Sequence, residues 1–284
     1  MNRILIIGAT GNVGGKVVSQ LTARGADIRV LARNPNTAGL PPQVEVVRGD
    51  LTAPETLDRC LDGIDTVFLV WVAPPATVVP VLQRIAKCAR RIVFLSAPLK
   101  TAHPLFQQQN PGRALGEQIE RLIETSGLEW TFLRPGMLAA NAVRWWAAQI
   151  RAGDVVRWPY LSVPTAPIDE RDIAAVAVRA LCEDGHGGAE YVLTGPQSLS
   201  HSEQVATIGR AIGRSLRTEE ISPAEARIEL AGILPGFAMN MLLDAWSAAA
   251  GQPAFVTSTV AEMTGVPART FFDWATDHAA EFQA

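Results

Sequence analysis

Gly8, Gly11 and Gly14 recur at three-residue spacing directly after the apolar run Ile4-Leu5-Ile6-Ile7, and they open an amphipathic stretch. A strand, a tight turn and a helix N-terminus in that order can cradle a pyrophosphate. Glycine tolerates positive φ in the turn and lets the backbone come close to the anion. The first helix amides have no partners inside the helix and face the ligand with the helix dipole behind them. A purely structural strand-to-helix turn would use the same glycines. Their place after a strand, at a helix start and ahead of further strand–helix units favours nucleotide binding.

Further positions bear on which nucleotide. The second strand candidate ends in Ala32-Arg33-Asn34 with no carboxylate, and Asp27 precedes that strand. An acid at the strand end would accept bonds from a ribose 2′-hydroxyl, whereas the planar, permanently charged arginine fork suits a 2′-phosphate. Arg33 therefore points to NADPH in preference to NADH; a solvated surface arginine is the alternative. Asp50, in Arg48-Gly49-Asp50-Leu51, stands just past the third strand, where it can accept from an adenine amino group with Leu51 against the ring, or cap the following helix. The fourth strand ends at Val70, expected on the cofactor side, and Trp71 in the stiff loop after it offers a flat wall to a ring or packs in the core. Trp145 and Trp146 are neighbours on one helix, so at most one lines a cleft. Trp145 and Trp158, with Trp71, are the expected wall for a flat apolar substrate, with Phe237, Met239 and Met241 completing it. Core packing is the alternative for each.

The elements that must position these residues alternate through the first half of the chain. Strand candidates are Arg3–Ile7, Ile28–Ala32, Val44–Val47, Thr66–Val70, Arg91–Ser96 and Trp130–Leu133, with helix candidates near Val13–Arg24, Pro54–Leu61, Thr77–Ala89 and Arg113–Thr125. Thr52-Ala-Pro-Glu55 reads as a helix start with a capping residue and an acid three positions on. Mostly apolar strands between helices predict a doubly wound parallel α/β sheet of Rossmann type, covered on both faces. After Pro135 the pattern changes: a helix over Ala139–Arg151, a proline-rich loop, a helix over Asp169–Leu181, a last strand at Glu190–Leu193, then mostly helix from His201. The expected division is a dinucleotide-binding core over residues 1–135 and a smaller, mainly helical substrate lobe over 136–284, with some segments returning to the core sheet.

At 284 residues, 48% apolar and 19% charged, the chain has the composition of a folded globular protein. Net charge is −3 with both signs interspersed and no basic run, which gives no support to a nucleic-acid partner. Cys60, Cys88 and Cys182 form no CxxC or Cys/His cluster, so they read as free thiols and no metal site is expected. No signal core and no apolar run of the ~20 residues needed to span a bilayer is present, so a cytoplasmic protein without a membrane partner is expected, as a monomer or homodimer.

Gly8-Ala-Thr-Gly-Asn-Val-Gly14, Arg33, Gly49-Asp50-Leu51 and above all Ser126-Gly-Leu-Glu-Trp-Thr-Phe-Leu-Arg-Pro-Gly136 followed by Asn141 resemble the NmrA-like group of atypical short-chain dehydrogenase/reductases. That group includes NADPH-dependent quinone reductases and redox-sensing regulators. The resemblance continues through Ile168-Asp-Glu-Arg-Asp-Ile-Ala174 and Tyr191-Val-Leu-Thr-Gly195 and covers most of the chain. It implies that Gly8, Thr10, Gly11, Asn12 and Val13 bind the pyrophosphate, Arg33 the 2′-phosphate, and Asp50 and Leu51 the adenine. The backbone at Pro135, Gly136 and Met137 would border the nicotinamide, with Met137 also facing substrate. Ser96 ends the fifth strand where the family's catalytic serine lies, beside the cofactor.

The chain departs from the wider group in its proton donor. Short-chain reductases commonly pair a tyrosine with a lysine four residues later, which lowers the phenol pKa for proton donation. Here the only tyrosines, Tyr160 and Tyr191, are followed at that spacing by Pro164 and Gly195. Ser96, Lys100 and His103 are the remaining candidates, and no catalytic residue is assigned. Three readings follow: hydride transfer from NADPH to a planar apolar carbonyl or quinone with protons from solvent; an NADP(H)-binding redox sensor without turnover; or a non-reductive enzyme of the same fold.

Overall fold

The computed structural model describes residues 3–37 and 39–283. In chain order the strands are β1 (Ile4–Ile7), β2 (Ile28–Ala32), β3 (Glu45–Arg48), β4 (Thr66–Val70), β5 (Arg91–Leu95), β6 (Glu129–Pro135), β7 (Val155–Trp158), β8 (Pro164–Thr165), β9 (Ala189–Leu193), β10 (Leu199–Ser200) and β11 (Arg217–Glu220). The helices are α1 (Asn12–Ala23), α2 (Leu57–Leu61), α3 (Val78–Cys88), α4 (Pro111–Glu124), α5 (Asn141–Ala152), α6 (Glu170–Cys182), α7 (His201–Ala211), α8 (Pro223–Glu229), α9 (Gly236–Ala249), α10 (Thr259–Thr264), α11 (Phe271–Asp277) and α12 (Ala279–Phe282).

Seven strands form one sheet in the order β3-β2-β1-β4-β5-β6-β9, and every pairing from β3 to β6 is parallel. All residues of β1 and β2 are buried, as strands covered on both faces must be. Right-handed crossovers place helices on opposite faces when the order reverses. Accordingly α1 and α6 pack together, while α2, α3 and α4 form a second row. Leu5, Ile7, Val67, Leu69, Ile92, Phe94 and Phe132 send every second side chain into the layer that these last three helices cover.

The chain partitions into two compact units, and the division is interleaved where a single change after Pro135 was expected. One unit comprises Met1–Ala97, Pro111–Pro135 and Glu170–Val192; the other comprises Pro98–Asn110, Gly136–Asp169 and Leu193–Ala284. The first is the α/β sheet domain. The second is mainly helical, with two small ribbons: β7 beside β11 in parallel and β8 beside β10 antiparallel. β11, Arg-Thr-Glu-Glu, carries no strand signal, and its pairing with β7 makes it a strand. The Thr52 cap expected before the second helix is absent. That helix opens as a 3₁₀ turn at Pro54–Thr56 with no side-chain cap, and Thr52 donates its N–H to Asp50 Oδ1 at 2.8 Å. Among the described residues, no helix is long and apolar enough to cross a membrane. Cys60 is buried and Cys88 and Cys182 are exposed, all three free.

Candidate functional site

The turn after β1 sorts the three glycines by what requires them. Gly8 has φ +92°, and a Cβ there would stand 2.7 Å from Val70 Cβ, so the fold itself demands glycine. A Cβ on Gly14 would meet Gly8 O at 2.1 Å, which forbids any side chain where α1 crosses the turn. At Gly11 the nearest atom to such a Cβ is Gly8 O, at 3.4 Å. Packing within the protein therefore asks little of Gly11, and close approach of a ligand is the remaining reason for it. Gly11 is the N-cap of α1 and no side chain caps this helix end; Thr10, Gly11 and Asn12 are exposed. Its first amides are left for an anion, and that is the fit a dinucleotide pyrophosphate requires.

A cavity of about 560 Å³ lies at the carboxyl ends of β1, β2 and β3, lined by Ile7, Gly8, Ala9, Thr10, Leu31, Ala32, Arg33, Asn34, Asp50, Leu51, Thr52, Val72 and Ala73. Open α/β sheets take their ligands here, beside the point where the strand order reverses. Arg33 is exposed on the cavity wall and forms no ion pair among the described residues. Asp50 is half-buried, and its carboxyl is held below the usual range, chiefly by the Thr52 N–H that it accepts, with a smaller pull from the Arg33 charge. This bond closes the loop and does not cap a helix. Leu51, 4% exposed, turns an apolar side chain to the same space.

Gly8, Thr10, Arg33, Asp50 and Leu51 thus share one cavity. Gly11 and Asn12 stand exposed at the start of α1, while Val13 is buried and has only its amide to offer. Val70 packs beside Gly8 at the end of β4 and is half-buried. Asn34, Thr52, Val72 and Ala73 were not anticipated on the wall. They are the immediate neighbours of the residues singled out, and position just past a strand end was the available signal.

Trp71 takes its packing role. It is half-buried against the core of the sheet domain, and its indole N–H donates to Ala73 O at 2.7 Å, leaving Val72 and Ala73 on the cavity wall. Ser96, half-buried after β5, donates its hydroxyl to Glu120 Oε1 at 2.7 Å. Pro135 is buried at the end of β6.

In the helical unit the Gly136 N–H donates to Leu193 O, and Met137 O accepts from Ile168 N–H, both at 2.9 Å. Met137 is half-buried against the core of that unit. His103 is not available as a proton donor. Its Nδ1 accepts the Leu105 N–H at 3.2 Å, which fixes the proton on Nε2, and Nε2 donates to Pro253 O at 2.9 Å. Nδ1 is spent on the backbone of the short helical turn Pro104–Phe106 and Nε2 on the backbone of the loop after α9. Lys100 is exposed.

The expected aromatic substrate wall is corrected. Trp145 is 5% exposed and Trp158 fully buried, and with Trp146, Trp246 and His201 they form the centre of the helical unit's core. Neighbouring ring centroids lie 4.9 to 6.5 Å apart, mostly edge to face. Trp145 and Trp146 are both buried because packed elements enclose α5 on more than one side. Of the residues expected to complete the wall, Phe237 is 75% exposed, Met239 buried and Met241 half-buried.

Comparison with known proteins agrees with this geometry. A family model described as NAD(P)H-binding matches residues 8–184. The (4-alkanoyl-5-oxo-2,5-dihydrofuran-3-yl)methyl phosphate reductase of Streptomyces griseus is 39% identical over 286 residues, spanning 98% of this chain and 99% of that protein. The NAD(P)H azoreductase of Xenophilus azovorans is 35% identical over 291 residues, spanning 99% of each. Among solved structures, the NADPH complex of an Escherichia coli NADPH-dependent quinone oxidoreductase shares the fold at TM-score 0.82 and 22% identity, covering 96% of this chain and 99% of that one. The chain belongs to the NAD(P)H-binding family.

Proposed function

We propose that the chain is an NADPH-dependent reductase that delivers a hydride to a planar, apolar carbonyl or quinone. The observation that carries the cofactor choice is Arg33, exposed on the cavity wall without an ion pair among the described residues and with no carboxylate at the end of β2. A guanidinium in that position donates a planar pair of N–H groups to a phosphate. The amides at the start of α1 would hold the pyrophosphate and Asp50 and Leu51 the adenine, with Val70 and Ser96 beside the cofactor. Pro135, Gly136 and Met137 would border the nicotinamide, Met137 also meeting substrate. The chemistry that such a cofactor supplies when bound is hydride donation.

The protein's own share is to orient the acceptor against the cofactor. With His103 committed to backbone and Ser96 to Glu120, the proton that follows the hydride comes from solvent. Relatives named as reductases of an oxo-dihydrofuran phosphate and of azo compounds support a reductase with a flat, conjugated acceptor.

The test is calorimetric titration with NADPH, NADP⁺ and NADH, followed by an absorbance assay of NADPH oxidation against quinones, azo dyes and unsaturated lactones. Tight NADPH binding with acceptor-dependent oxidation is expected. Tight binding with no turnover across that panel replaces the reading with a redox sensor, and absence of binding overturns it.

A further inference from the structure

Ser96, Glu120 and Arg134 form a buried chain of hydrogen bonds inside the sheet domain, and its chemistry determines what Ser96 can do. Glu120, on α4, and Arg134, on β6, are each 2% exposed. Arg134 Nε donates to Glu120 Oε1 at 3.0 Å and Nη2 to Oε2 at 2.7 Å, a two-pronged pairing of guanidinium with carboxylate. Glu190 holds the remaining side of the guanidinium. A buried ion pair offsets its desolvation cost only when its hydrogen bonds are made, and this one is bonded on both partners. Glu120 Oε1 also accepts the Ser96 hydroxyl at 2.7 Å. Every contact that the carboxylate makes among the described residues is as an acceptor.

A serine hydroxyl has one proton and two lone pairs. Glu120 takes the proton, so Ser96 Oγ can meet a ligand only as a hydrogen-bond acceptor. Ser96 lies at the carboxyl end of β5, in the half of the sheet beyond the reversal between β1 and β4. A sheet ordered 3-2-1-4-5-6 takes a dinucleotide across that reversal. The Arg33 and Asp50 half lies on one side, so the nicotinamide half falls on the side of Ser96.

We propose that Ser96 accepts a hydrogen bond from the nicotinamide carboxamide N–H₂, and that Glu120, clamped by Arg134, is the positioning residue that keeps the serine an acceptor. This rests on the nicotinamide-cofactor reading above. Ser96 on this account orients the cofactor ring and is not the acid of the reaction.

The test compares NADP⁺ with its 3-acetylpyridine analogue, which replaces the carboxamide by an acetyl group and so removes the donor. Affinities are read by calorimetry, independent of turnover. Ser96→Ala is expected to weaken NADP⁺ roughly tenfold, one neutral hydrogen bond, and the analogue less than twofold. Ser96→Thr, which keeps the hydroxyl, restores NADP⁺ binding. Glu120→Gln shows the same ligand-selective loss and adds nothing in the Ser96→Ala background. If that substitution unfolds the protein by leaving Arg134 half-paired, the two serine variants carry the test alone. Equal losses for both ligands, or no loss for either, overturn the proposal and leave the cofactor reading standing. A wild-type protein that binds neither ligand removes the cofactor reading and this proposal together.

Discussion

Two regions of the molecule contain the groups from which a site for flat, polar-edged molecules could be built, and they end in opposite states. At the start of α1 the backbone amides lack a side-chain cap, and they follow a turn whose Gly8, Ala9 and Thr10 line a cavity of about 560 Å³. In the helical unit, Trp146, Trp158 and Trp246 carry buried indole nitrogens, and His201 a buried Nε2, without a partner among the described residues. One region withholds side chains where space is needed; the other fills its space with the largest side chains available. Residue chemistry is a poor guide to a site when the side chain is apolar, because the hydrophobic effect that favours a ring against a ligand favours it equally against the core. Backbone chemistry is a better guide, because little except a turn or a ligand requires glycine at such spacing.

The most disruptive test of this contrast is Trp246→Ala. Removing a fully buried ring that packs on Trp145, Trp158 and His201 is expected to cost about 4 kcal/mol of stability by denaturant midpoint. NADPH affinity of the folded fraction should stay the same. A variant of unchanged stability that loses ligand binding would return the tryptophan cluster to the site.

Next is the pH dependence of His201, which is fully buried and donates from Nδ1 to Tyr160 O at 2.9 Å. Burial pushes its pKa down from 6.5 to about 4. The unfolded chain therefore binds this proton more readily than the native state between those values, so stability rises with pH through the window and falls as pH drops from about 6.5 towards 4. The full contribution is about 3 kcal/mol. His201→Gln should flatten the loss of melting temperature between neutral and mildly acidic pH relative to wild type, and equal losses would assign that loss to other groups.

Gly11→Val sharpens the other half of the contrast. It should weaken NADPH and NADH alike by roughly a hundredfold while costing only about 1 kcal/mol of stability as a poor helix cap. Retained binding would make this glycine structural after all. The smallest expected effect is at Arg33. Arg33→Ala should weaken NADPH by roughly tenfold to thirtyfold, the worth of a charge-assisted hydrogen bond, and NADH by less than twofold. Equal losses would remove the 2′-phosphate role.

What the sequence by itself determined are the features whose cause is local. The glycine turn, the alternation of apolar strands with amphipathic helices, and hence the parallel sheet with its reversal beside β1, follow from backbone conformation and from periodicities of two and 3.6 residues. The place of Arg33 and Asp50 on the cavity wall was legible because a strand end in such a sheet faces the crevice whatever surrounds it.

Tertiary structure alone decided the rest. It buried Trp145 and Trp158, and made a strand of the polar Arg217–Glu220 by setting it beside β7. It sent residues 98–110 to the helical unit and spent both nitrogens of His103 on backbone there. It also joined Ser96, Glu120 and Arg134 across three elements. Each of these depends on which groups meet across long stretches of chain, and burial or a hydrogen-bond partner is a property of that meeting and not of the residue.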